Sequence, residues 1–479
     1  MPADIVTTVV GDGAHAYTAN GVGASAALLG DPLTAAVDPA GDIVVPDQND
    51  NVIRAVAGST GTAYGLAMTK GDIYTIAGTG VGGFGGDGGP ARAAELWGPS
   101  GVALDGAGDV AITDTINDEV RFLPHATGVY FGVYMVSGNI YDVAGDNQDG
   151  YFGDGGQATA AMLSGPDGVT FDAQGNLVFA DTNNDVIRLV VQNTGTDFGH
   201  SVVEGDIYTI AGNGTFGYSG NGGPATAAAL DLEPLSGVAV DGAGNLVMAD
   251  GINNVIRVVA GSAGTYYGIA MQTGDIYTIA GNPTGGYSGD RHPAAAAEMA
   301  DPMGVAVDSS GDILVADSTN SVIRMIAAFT GVYDHMRVRA GDIYTVVGDA
   351  AAPGYGGDGG KPRRASLNGP TGVSVTPTGE LLVADNGNNV IRRVGPPEPV
   401  VTELLPGSGT SAGDARVVIK GRDLRGATSV VFGSTPATSF VVKSATKIIA
   451  RSPAEPAGTV AVVVTSPAGS SQGSYTFTG

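Results

Sequence analysis

The chain has 479 residues, of which 79 are glycine, one is tryptophan and none is cysteine, and its 22 basic and 48 acidic side chains leave a formal charge of −26. Glycine at this level without a three-residue period excludes collagen, 43% hydrophobic residues spread along the whole chain exclude disorder, and the lack of cysteine excludes disulfides, zinc–thiolate sites and thiol nucleophiles. No apolar run approaches the roughly 18 residues of a membrane span.

Residues 4–10 read as a strand that opens the chain directly, without a basic or apolar leader. From there a repeat takes over. Gly-Asp-Ile-Tyr-Thr-Ile-Ala-Gly at 71–78 returns in close variants at 138–145, 205–212, 274–281 and 341–348. A second phrase ends in an arginine six times, at Arg54, Arg121, Arg188, Arg257, Arg324 and Arg392, spaced 67, 67, 69, 67 and 68 residues apart. In unit four, Val238–Asp241, Leu246–Ala249, Val255–Val259 and Asp275–Ala280 are runs of β-formers separated by Gly, Asn and Asp, hence strands joined by turns. The first run of each unit is built of small residues and the later ones of larger residues, which suits sheets converging on an axis. The expected fold is therefore an all-β propeller with four-stranded blades, the first five near 33–78, 101–145, 168–212, 237–281 and 304–348. The sixth unit lacks an outer strand after Val394, and residues 4–10 have no inner strands before them, so the N-terminal strand should close the last blade.

The phrases GVAVDGAGNLVMADGINNVIRVV (237–259) and GDIYTIAGTGVGGFGGDGGPA (71–91) resemble NHL repeats, in the long-blade form of secreted bacterial proteins and teneurins. That resemblance implies a six-bladed β-propeller over residues 1–395 and leaves function open, because such propellers serve as scaffolds, as protein- or RNA-binding modules and, in a few cases, as lyases. Residues 396–399 are a proline-rich linker. Beyond it, residues 400–479 resemble an IPT/TIG domain, an immunoglobulin-like β-sandwich, over GRDLRGATSVVFGSTPATSFVVKSATKIIARSPAEPAGTVAVVVTSPAG (421–469), with strands expected at 415–420, 429–432, 438–442, 447–451, 459–465 and 474–478. Such domains are spacers or interaction modules. The resemblances imply a secreted or cell-surface protein whose signal is absent from this chain.

The most regular chemistry is Asp-x-x-Asn-x-x-x-Arg, carried by Asp47, Asp114, Asp181, Asp250, Asp317 and Asp385 with the six arginines; in unit one Asn49 is displaced by one position. Six carboxylates at one channel end would suit a divalent cation such as Ca²⁺. The competing reading is structural: Asp and Asn shape the turn, and each arginine, set in an apolar strand, takes a carboxylate between blades. Presence in every unit favours structure. The Gly-rich loops place Asp87, Asp154, Asn221, Asp290 and Asp358 at matching positions and lack the Lys-Ser/Thr of a phosphate-binding loop. His15, His125, His200, His292 and His335 share no metal-ligand spacing.

Residues 400–479 hold seven basic and four acidic side chains, so the remainder carries −29 and should repel nucleic acid. Against that field Arg291, His292, Lys361, Arg363 and Arg364 break the repeat in two successive loops, and are expected to hold an anionic group at the channel mouth near units five and six. Two functional readings follow: a secreted or surface-displayed binding protein whose propeller is a rigid platform for a protein, glycan or small anionic ligand, or a propeller lyase or hydrolase acting on a polar substrate at the channel mouth.

Overall fold

The computed structural model describes residues 4–232, 234–397, 399–466 and 469–479; of the linker 396–399, Glu398 lies outside the described residues. These residues form two compact units, one of 7–358 with 362–393, the other of 4–6 and 359–361 with 394–479. Helix among them is confined to three-residue 3-10 turns.

Six sheets share one topology. In repeat four the order from the outside is Gly223–Pro224, Asp275–Gly281, Val255–Val259, Leu246–Asp250 and Val238–Val240. Repeats one, three and five have the same five strands, and repeat two has the inner four. In repeat six the N-terminal strand Ile5–Val10 lies outside Val390–Gly395, Leu381–Asp385 and Gly372–Val375. The fifth, outermost strand was not expected. It comes from the Gly-rich loop, which turns back at left-handed glycines such as Gly222 (φ 78°) and runs along the outer strand before reaching the next inner one. Each of repeats one to five also carries a small two-stranded hairpin between its third and outer strands, such as Gly264–Tyr266 with Ile269–Met271.

Strand residues are apolar on both faces because each sheet is packed on both sides. In repeat four Leu246 and Met248 join a core with Val178, Ile187 and Leu189 of repeat three, while the alternate residues Val247 and Ala249 join one with Val305 and Val315 of repeat five. Val10, Leu382 and Ile391 likewise share a core with Val45 and Val56 of repeat one. On the inside, glycine sets the spacing. A Cβ on Gly101, Gly168, Gly237, Gly304 or Gly372 would lie 2.3–2.6 Å from a backbone atom in, or just before, the inner strand of the neighbouring repeat.

The tight turn after each second strand, a 3-10 turn in repeats one, two, three and six, is closed by a left-handed residue: Asn51, Asp118, Asp185, Asn254, Ser321 or Asn389, at φ 52–56°. Short polar side chains tolerate that conformation, which accounts for the paired Asn and Asp of the motif.

Within the second unit, the strands from Val400 onward form a two-sheet sandwich. Val400–Leu405, Arg416–Arg422, Lys447–Arg451 and Ser439–Ser444 make one sheet; Ser408–Thr410, Gly469–Thr478, Gly458–Ser466, Ser429–Phe432 and Thr435–Pro436 make the other. Between them Phe432, Tyr475 and Phe477 meet edge to face.

Candidate functional site

Each repeat arginine is fully buried and donates to the buried aspartate of the same motif, at 3.1–3.5 Å. The two residues stand on paired strands of one sheet, so the pair lies within a repeat and not between repeats as expected; Met248 opposite Arg257 and Asp250 opposite Val255 fix the register. The second aspartate oxygen accepts a backbone N–H from the chain entering the sheet, for example Ser164 N at 2.8 Å on Asp181. Asn184 adds Nδ2 at 2.9 Å and donates onward to the Gly150 carbonyl. An aromatic ring caps every guanidinium at 4.8–5.7 Å: Tyr17, Phe84, Tyr151, Tyr218, Tyr287 and Tyr355. In repeats three, five and six the Gly-rich loop supplies a second carboxylate, Asp154, Asp290 or Asp358, to Nη2 at 2.6–2.9 Å. Burial pushes Asp47 up to about 7 and Asp114, Asp181, Asp250 and Asp317 up to about 6, against the opposing backbone N–H and arginine. The six carboxylates therefore do not converge on a cation. In repeat one Asp50 occupies the Asn place, and the displaced Asn49 meets His15 Nε2 at 3.1 Å and Asp31 at 3.3 Å.

Repeat two departs from this plan. Asp142 replaces the threonine that elsewhere meets the capping tyrosine hydroxyl, as Thr209 meets Tyr151 at 2.9 Å, and the cap itself becomes Phe84. Asp142 pairs with Arg121 Nε, and the buried Glu119 stands where the other repeats have valine. Burial, then the neighbouring Asp142, pushes Glu119 up to about 9, so it is protonated at neutral pH.

The basic residues singled out from sequence lie on the outer edges of repeats five and six, away from the channel. Arg291 N donates to Ile343 O, and His292 pairs with Ile343 of the outer strand. Arg363 Nε donates to Thr345 O of that strand at 2.8 Å, and Lys361, Arg363 and Arg364 are all exposed. The reason is the Gly-rich loop, which climbs the outside of the sheet. The histidines do not gather either: His15, His125, His292 and His335 are exposed and His200 is half-buried. Among the described residues no three His, Asp or Glu are grouped to hold a metal ion.

The inner strands surround a channel of about 270 Å³ lined by backbone and small side chains. Its one charged lining residue among those described is Asp167, which sequence reading missed. At the same place the other repeats have Leu33, Ser100, Ser236, Met303 and Thr371. Asp167 is 3% exposed; Oδ2 accepts Leu235 N–H at 3.0 Å, and burial raises its carboxyl against that opposing bond. Ser100 Oγ meets Thr115 Oγ1 at 2.5 Å and Thr113 Oγ1 at 3.1 Å. Pro166 pairs with Asp181, so this carboxylate sits at the channel end carrying the Asp/Asn turns, beside repeats two to four. Its only sequence signal was a Pro-Asp-Gly whose counterparts lack the acid.

The NHL-repeat family model matches residues 299–324 and 367–393, and the IPT/TIG-domain model matches 399–478. The chain thus carries NHL repeats in a propeller-type array of sheets, followed by an IPT/TIG domain of immunoglobulin-like form. Among solved structures it is similar to an auxiliary nutrient binding protein from Bacteroides thetaiotaomicron, at 14% identity and a TM-score of 0.52 over 82% of this chain and 77% of that one. It is also similar to an auxiliary nutrient binding protein from Bacteroides ovatus, at 12% identity and a TM-score of 0.52 over 83% and 78% of the two chains. No curated protein matches the chain. No described helix is long and apolar enough to cross a membrane.

Proposed function

We propose that the chain is a secreted or surface-displayed binding protein, in which a closed six-bladed propeller (1–395) forms a rigid platform and the IPT/TIG sandwich (400–479) a spacer. The observation that carries this reading is Asp167. The repeated carboxylates and arginines are consumed by internal bonds, and this one acid interrupts a channel lining that is otherwise uncharged among the described residues. A carboxylate flanked by serine and threonine hydroxyls accepts hydrogen bonds from ligand hydroxyls and rejects anions, so a glycan fits this mouth better than the anionic ligand expected from the loop arginines. Two fold neighbours are described as auxiliary nutrient binding proteins, which agrees with capture of a small polar molecule.

Titration calorimetry of the full chain against a panel of mono- and disaccharides tests this. At least one sugar should bind saturably, and Asp167→Asn should weaken it about tenfold or more while leaving the melting midpoint unchanged or raised. Equal affinity for the parent and Asp167→Asn would remove the channel from the account.

A further inference from the structure

Repeats one, three and five present the same groove in different states of filling. Each groove lies between an outer strand and the 3-10 turn of the following loop. Beside repeat five that turn is Pro362–Arg364, and its second residue, Arg363, reaches back to the outer strand: Nε donates to Thr345 O at 2.8 Å and Nη2 meets Met336 Sδ. Beside repeat three the turn is Ala225–Ala227, its second residue is Thr226, and the groove is a pocket of about 380 Å³.

The two grooves otherwise match group by group. Thr209 stands for Thr345, and its hydroxyl binds Asp154 at 3.0 Å as Thr345 binds Asp290 at 3.1 Å. Arg188 holds Asp154, and Arg324 holds Asp290, both at 2.9 Å. Tyr151 corresponds to Tyr287, and His200 opens its hairpin strand where Met336 opens the other. The Ile207 carbonyl faces the sheet edge, where it accepts Gly155 N–H, and the Thr209 carbonyl two residues on faces the same way.

We propose that the outer groove of repeat three binds a guanidinium group, the arginine side chain of a peptide partner, in the manner of Arg363 in repeat five. The Thr209 carbonyl and the Asp154 carboxylate, 47% exposed, accept its N–H groups, and Tyr151 and Tyr208 supply ring faces. The planar fork of arginine suits this seat and the point charge of lysine does not. Arg92, at the same place beside repeat one, is exposed as Arg363 is but makes no bond to the outer strand; there Leu66 stands where Met336 and His200 offer a heteroatom. This surface is separate from the channel, so Asp167→Asn leaves it unchanged and the two readings fail independently.

The probe is the tripeptide Gly-Arg-Gly, titrated into the full chain while the His200 ring signal is followed by NMR and assigned with His200→Gln. A saturable shift at one site is expected, with Gly-Lys-Gly about tenfold weaker or more. Thr226→Arg supplies the guanidinium in cis and should abolish the shift; Thr159→Arg, the same change beside repeat two, should not. Arg363→Ser should open the second groove and raise the stoichiometry from one to two, which keeps the test alive if Thr226→Arg fails to fold. No saturation by about 50 mM, equal binding of the lysine peptide, binding that survives Thr226→Arg, or a stoichiometry unmoved by Arg363→Ser would each overturn the proposal.

Discussion

One aspartate or asparagine in each of repeats one to five decides how a turn is charged. In repeats three and four Asn176 and Asn245 accept a backbone N–H on Oδ1 and donate Nδ2 to Asp172 and Asp241 at 2.7 and 2.8 Å. Repeats one, two and five put Asp42, Asp109 and Asp312 in that place; Oδ1 still accepts Gly58, His125 or Ala328 N–H at 2.6–2.7 Å, but the other oxygen has no proton to offer. Asp312 Oδ2 is accordingly buried without a partner. Burial, with nearby Asp308 adding repulsion, pushes Asp312 from 3.8 up to about 6, so the folded state binds a proton that the unfolded state releases. Stability from this group is intact below pH about 4 and is lost as pH rises through about 6. Asp312→Asn restores the donor seen in Asn245. It should stabilise the protein by about 1–3 kcal/mol at pH 7.5 and by almost nothing at pH 4, as read by urea unfolding at both values. An equal gain at the two pH values would remove protonation from the explanation. The Asp and Arg sets were legible in the sequence because the groups that satisfy them lie within one repeat unit, whereas Asp167 was not: its Leu235 and Ser100 neighbours come from two other sheets.

At the scale of elements, strands announced by Val, Ile and Tyr were legible to within a residue or two, as Val255–Val259 and Lys447–Arg451 show. The edge strand Gly223–Pro224 and the sandwich strand Val400–Leu405 were not, the first because it is built of Gly and Pro and the second because it follows the proline-rich linker. Why the outer-edge loops carry the basic residues away from the channel was equally hidden, since the path depends on glycines at positive φ. Inner-strand glycines act differently: at Gly304 a Cβ would stand 2.6 Å from Thr371 O and 2.8 Å from Gly372 Cα. Gly304→Ala should therefore force two inner strands apart and cost about 1–3 kcal/mol in denaturant unfolding. Gly242→Ala, whose Cβ meets nothing within 4 Å, is the control and should stay within about 0.5 kcal/mol. Similar losses at both would assign the effect to backbone entropy instead of close approach.

At the scale of the molecule, closure joins sequence positions almost 400 residues apart. Ile5–Val10 is the outer strand of the sheet that also contains Gly372–Val375, Leu381–Asp385 and Val390–Gly395. Val10 is fully buried in a core with Ala27, Leu382 and Ile391, and Gly11 packs against Asn389 O so closely that a Cβ there would lie 2.4 Å away. Thr8 N also donates to Asp358, the carboxylate that holds Arg392 at 2.6 Å. Removing residues 1–11 would thus expose the edge of the third strand, strip apolar cover from Ile391 and leave the Arg392 and Asp358 pair open to water. Repeats that contact only their neighbours lose cooperativity when a ring becomes an open array. The truncated chain should accordingly melt several degrees lower and over a broader range than the parent in calorimetry, with repeats six and one the first to lose amide-exchange protection. A midpoint and protection pattern unchanged by the deletion would mean that the ring holds without its N-terminal strand.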